Sequence, residues 1–174
     1  IAVFIIEYLS SETIYLPYST GLTIPFIKNF MLDLSYFYFV FGIMVIIGAG
    51  NAVNLTDGMD GLVSVPVITT CAVMGIFAFV SGSYVQSAYF NMFYLPHVSE
   101  ILVLCCIAMA AVLAFLWYNS HPAQIFMGDT GSLTLGGLLA LISIILREEL
   151  FFAMIGSIFI AETLSSMIQR YYFK

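Results

Sequence analysis

Two short stretches hold most of the residues able to do chemistry. The first, "NAVNLTDGMDGL" at 51–62, sets Asn51, Asn54, Thr56, Asp57 and Asp60 among glycines; the second, "YNSHPAQIFMGDTGSL" at 118–133, carries Asn119, His121, Gln124, Asp129, Thr130 and Ser132. Asp57 and Asp60 are three apart and share one side of a helical turn. Two carboxylates so placed resist sharing a site unless a cation or a proton intervenes. Asp129 stands just before an apolar run, where the unpaired amides of a helix start make an anion site. A carboxylate beside an anion site suits Mg²⁺, which is commonly bound by one or two carboxylates plus substrate phosphates. Neither stretch contains Lys or Arg. A diphosphate held between them needs a metal ion, or bases from elsewhere, to neutralise it.

Plainer readings exist for each feature. Asp, Asn and Ser cap helix starts and Gly closes helix ends, which accounts for Asp129 or Ser132 and for one acid of the first stretch, but not for Asn51, Asn54 and a second acid together. The "DGMDG" spacing lacks the calcium-loop ligand pattern. "DTGS" also matches an aspartic-protease signature, but that motif needs a β-sheet context, and the intramembrane type carries its acids within the spans. His121 reads first as a polar loop residue. Cys71, Cys105 and Cys106 show no CxxC spacing and read as small apolar packing residues.

The elements that position these stretches follow from composition. The chain of 174 residues is 62% hydrophobic and 8% charged, with a mean hydropathy of +1.07. Soluble domains are about 45–50% apolar and about 25% charged, so this is a membrane protein. Apolar runs at 34–50, 62–80, 101–118, 133–146 and 150–168 predict five helical spans, and the run at 1–9 reads as a truncated sixth. Helices are required because open strand edges cannot be satisfied in hydrocarbon and barrel alternation is missing. The expected fold class is therefore all-α, a polytopic membrane helix bundle forming one integral domain over 1–174. Residues 10–33 read as an extramembrane connector containing a small hairpin.

Counting crossings puts 51–61, 119–131 and the C-terminal "QRYYFK" on one face, with 10–33, 81–99 and 147–149 on the other. Lys and Arg are too evenly split to orient the faces. The formal net charge of −6 disfavours nucleic acid as a partner. Glu162 lies inside the last run, where an ionisable group defaults to function or helix packing.

"NAVNLTDGMDGL" together with "FLWYNSHPAQIFMGDTGSLTLGG", and the "ETLS" and "REE" near the last run, strongly resemble the bacterial phospho-N-acetylmuramoyl-pentapeptide transferases, which are polyprenyl-phosphate sugar-1-phosphate transferases. The likeness runs from about residue 24 to 174. It implies a ten-helix enzyme of the bacterial inner membrane with its active site on the cytoplasmic face. Loops 51–61 and 119–131 would then be cytoplasmic and 10–33 extracytoplasmic. It implies transfer of phospho-MurNAc-pentapeptide from UDP-MurNAc-pentapeptide to undecaprenyl phosphate, giving lipid I and UMP, with Mg²⁺ as cofactor. By that likeness Asp129 is the metal ligand and, with Asp57, a catalytic residue. Asn54 and Asp57 would lie near the phosphates, Gly58, Met59 and Asp60 against uracil, and Phe126 stacked on that base. Asn51, Thr56, Asn119 and Glu162 complete the expected substrate-binding set. Met59 replaces the leucine usual in the family. An adjacent aspartate pair and a histidine-rich loop of the family are expected before residue 1 and after residue 174. The sister group that uses UDP-GlcNAc shares the aspartate motifs, and an ion-coupled transporter is the alternative outside the enzymes. Membrane lipids are expected neighbours and a homodimer a candidate assembly.

Overall fold

A computed structural model describes residues 21–24, 31–90 and 92–172. The run at 1–9 lies outside the described residues, as do 10–20 and 25–30 of the connector. Two short strands, β1 (Gly21–Thr23) and β2 (Met31–Asp33), come first. The helices follow as α1 (Phe37–Thr56), α2 (Ser64–Ser81), α3 (Tyr84–Phe90), α4 (Ile101–Asn119), α5 (Gly128–Leu146), α6 (Glu149–Ile155) and α7 (Ser157–Tyr172). A 3-10 turn at Val98–Glu100 runs into α4.

The fold class is all-α and the chain is a multi-pass membrane helix bundle. Among the described residues four helices are long and apolar enough to cross a membrane, namely α1, α2, α5 and α4 with its leading turn. Such helices satisfy their backbone internally, as hydrocarbon demands. The fifth expected span differs from a straight helix: α6 and α7 meet at a bend of 68°. Gly156 is the cause. Glycine weakens a helix interior, and a Cβ at this position would lie 3.1 Å from Phe152 O and 3.2 Å from the ring of Phe159. Phe159 is buried and fills the inside of the bend.

The core combines Val53 of α1, Val67 and Met74 of α2, Cys105 of α4 and Leu139 of α5. Half of the α2 span is buried, against 17% of α4, so α2 is the central helix and α4 presents Val103, Ile107, Leu113 and Trp117 outward. An all-round apolar helix of this kind suits lipid. Cys71 and Cys105 are buried free thiols and Cys106 is exposed.

One packing contact bears directly on the site. A Cβ at Gly136 of α5 would come within 2.5 Å of Ala49 O and 2.7 Å of Gly50 Cα on α1. Small residues let helix backbones approach closely in lipid, and here they bring the end of α1 against the start of α5. The opposite end is tied differently. β1 and β2 pair antiparallel with Leu22 opposite Leu32, and Thr23 Oγ1 donates to Arg147 O at 2.6 Å. The connector 10–33 thus contains the expected hairpin. The connector 81–99 holds more structure than expected, in α3 and the 3-10 turn, with Leu95 N–H closing back on Ser81 O at 2.9 Å.

Candidate functional site

The first motif is more helical than its glycines suggest. α1 continues through Asn51, Asn54 and Thr56, and ends where Asp57 N–H reaches Val53 O and Asn54 O. Gly61, with φ +71°, then turns the chain into α2, a conformation open to glycine at little cost. The second motif uses the same device in reverse. Gly128, with φ +70°, opens α5, and Asp129 falls in its first turn, where a negative charge is favoured by the helix dipole.

The two motifs meet through side chains that the sequence places far apart. Asn54 Nδ2 donates to Asp129 Oδ1 at 3.3 Å. The Gly128 N–H stands near the Asp57 carboxylate and stabilises its charged form. Asp60 Oδ2 lies 3.0 Å from His121 Nδ1 and accepts the Ala123 N–H at 3.2 Å. Gly61 N–H donates to Asn119 Oδ1 at 2.9 Å, while Asn119 Nδ2 donates to Ile125 O at 2.9 Å.

Electrostatics separate the acids. Partial burial raises the Asp57 carboxyl above its usual range, the Gly128 N–H opposes this, and the negative charge of Asp129 adds to it. Asp60 moves the other way, because the Ala123 N–H and the His121 imidazole stabilise its charged form. A divalent cation fits the first pair. Asp57 and Asp129 supply hard oxygen donors, the repulsion between them is what a cation relieves, and no Lys or Arg of either loop competes. No group of three or more His, Cys, Asp or Glu side chains gathers among the described residues. Mg²⁺ commonly keeps waters and takes substrate phosphates alongside one or two carboxylates, so two protein ligands suit it.

The remaining expected residues sit as follows. Gly58, Met59 and Phe126 are exposed at the motif end. Asn51 is exposed, with its amide donated back to Ile47 O at 2.7 Å. Thr56 is buried and returns its hydroxyl to Ala52 O. Asn119 is buried with both ends of its amide engaged. Glu162 lies on α7, and none of the hydrogen bonds joining the loops involves it. The contact that sequence reasoning missed is His121 with Asp60. Its only sequence signal is an imidazole and a carboxylate in the two polar stretches that share a face. A groove of about 340 Å³ runs between α1 and the bent α6–α7 pair, from Glu149 at the far end to Val53. Met44, Gly48 and Ala52 line one wall, Phe159, Ile160 and Leu164 the other.

A sequence profile described as glycosyl transferase family 4 matches residues 1–147, the greater part of the chain and both motifs. The chain belongs to glycosyl transferase family 4. Relatives named phospho-N-acetylmuramoyl-pentapeptide-transferase, from Rickettsia massiliae (strain Mtu5) and Rickettsia prowazekii (strain Madrid E), are each 46% identical over 170 residues. The match takes in 98% of this chain and 46% of each relative. The chain therefore spans about half the length of the curated relatives it matches. Family membership accounts for both motifs at once.

Proposed function

We propose that the full-length protein transfers phospho-MurNAc-pentapeptide from UDP-MurNAc-pentapeptide to undecaprenyl phosphate, releasing UMP, on the cytoplasmic face of the bacterial inner membrane. The observation that carries this reading is the meeting of Asn54 on α1 and Asp57 just past its end with Gly128 and Asp129 at the start of α5. Oxygen donors, a helix start and a backbone N–H converge there, with no basic side chain from either loop, which is the donor set for a metal-neutralised diphosphate.

Asp129 and Asp57 would hold Mg²⁺, which supplies charge neutralisation to the diphosphate and to the departing UMP. Phosphoryl transfer depends on alignment and charge more than on covalent work by the protein, and this chain's residues are suited to alignment. Asn54 orients the Asp129 carboxylate. Exposed Met59 and Phe126 offer apolar surface for a uracil ring, Phe126 by stacking, with Gly58 and Asp60 at its edge. Asn51 and Glu162 are assigned to the polar flank of the substrate, whereas Thr56 and Asn119 bear on it through the backbone they hold. The apolar groove along α1 supports an acceptor with a hydrocarbon tail, since its wall climbs from Met44 to Ala52 and Val53, one turn below Asp57.

The test is to offer the full-length protein UDP-MurNAc-pentapeptide and UDP-GlcNAc separately, each with undecaprenyl phosphate and Mg²⁺, and to measure UMP. Release from the first donor alone is expected. Release from UDP-GlcNAc alone overturns the substrate assignment, and release that persists in excess chelator overturns the metal.

A further inference from the structure

His121 has no part in the chemistry above, yet it holds an acid at the edge of the site. Its Nδ1 lies 3.0 Å from Asp60 Oδ2, and the same oxygen takes the Ala123 N–H. One residue on, the Gly61 N–H is bound by the buried Asn119. Gly61 turns with positive φ, so the Asp60 side chain and the Gly61 N–H both meet the 119–125 loop. Asp60 is thereby held through one carboxylate oxygen on an otherwise exposed turn. Its Oδ1 has no part in either contact and is left in a set direction. Without that hold, an exposed Asp between a Met and a Gly samples several rotamers, and a ligand must bear the entropy of choosing one.

We propose that His121 is a positioning residue, which by fixing Asp60 Oδ2 presents Asp60 Oδ1 as a preset acceptor for the imide N–H of a pyrimidine base bound between the two loops. The proposal rests on reading the site as one for a uridine nucleotide. A carboxylate oxygen can only accept, so His121 Nδ1 is the donor of this contact. The resulting pair acts on affinity for the base and not on the phosphates, which lie toward Asp57 and Asp129.

The experiment uses the full-length protein in detergent or nanodiscs, with UMP as the binding probe and the UDP-sugar as donor. His121→Ala is expected to raise the UMP Kd and the donor KM about fivefold, the scale of ordering one side chain on binding, with kcat changed less than twofold. His121→Gln, whose amide can donate to the same oxygen, is expected to recover most of that loss. In an Asp60→Ala background, adding His121→Ala should cause no further loss. Unchanged Kd and KM in His121→Ala overturn the proposal. So does a fivefold loss repeated in the Asp60→Ala background, or a fall in kcat and thermal midpoint with KM intact. The two readings fail separately: normal turnover by Asp129→Asn removes the phosphate site itself, whereas inactive Asp129→Asn beside unaffected His121→Ala removes only the role of His121.

Discussion

At the motif end, Asp60, His121 and Asp129 are exposed and join the two loops through one or two hydrogen bonds each. At the far end, Arg147, Glu148 and Glu149 are 9%, 5% and 2% exposed. There the Tyr38 hydroxyl donates to Glu149 Oε1, the Arg147 guanidinium stands 5.1 Å over the Tyr38 ring, and Thr23 caps the Arg147 carbonyl. Arg147 Nη1, Glu148 Oε2 and Glu149 Oε2 have no hydrogen-bond partner among the described residues. Like residue types therefore do opposite jobs. Polar groups left in water remain available to a ligand, while those removed from water are committed to holding β1, α1, α5 and α6 together. The difference also explains why the motifs bind through backbone N–H groups and single oxygens: an open cleft must keep donor and acceptor positions unspent.

The comparison breaks most plainly at Asp129. Asp129→Asn should lower Mg²⁺-dependent UMP release about a thousandfold, the scale set by removing one group that stabilises transition-state charge, while leaving the thermal midpoint where it was. The reverse is expected at Arg147. Arg147→Ala removes the cation beside the buried Glu149 and should destabilise the protein by about 3 kcal/mol, measured by thermal unfolding in detergent, with the UMP Kd unchanged. A variant with normal stability and altered UMP binding would show that the two ends are not separate. Gly136→Ala tests the link between helix crossing and site. Its Cβ at 2.5 Å from Ala49 O should cost about 1–3 kcal/mol and lower turnover as well, because Asn54 moves away from Asp129.

The smallest effects are in pH. Burial, with Glu149 beside it, pushes the Glu148 carboxyl up to about 8. A folded state that holds the proton more tightly than the unfolded chain is most stable at low pH and loses that stability as pH rises. The thermal midpoint should thus decline between about 4.5 and about 8, and Glu148→Gln should flatten that slope. Asp60 has the opposite sign. Its carboxyl is held below the usual range, so its contribution is full at neutral pH and is lost only as pH falls through that lowered value. Asp60→Asn should remove this acid-side loss and leave the slope above pH 4.5 untouched.

Much of this was legible before the fold. The apolar runs marked every long helix, and crossing parity put the two polar stretches on one face. The helix start at Asp129 could be read from the "MGDTGSL" junction. The boundaries could not. α1 carries its pattern through three polar residues that resemble a loop, because Asn51 and Thr56 bond back to carbonyls four residues earlier and so cost the helix little. "REE" read as a short turn between spans, and nothing in the triplet announced that all three side chains are buried.

What the sequence by itself determined is the solvent, the order of the apolar segments, and the chemistry at one end of them, since hydropathy and residue type belong to each segment alone. Tertiary structure decided which acid binds what. Asn54 and Asp129 are 75 residues apart, Asp60 and His121 are 61, and Tyr38 and Glu149 are 111. The first pair exists because Gly136 lets α5 lie against α1, and the second because α2 packs on α4. A helix crossing is a relation between two segments, and its angle and depth are set by the shapes that meet there.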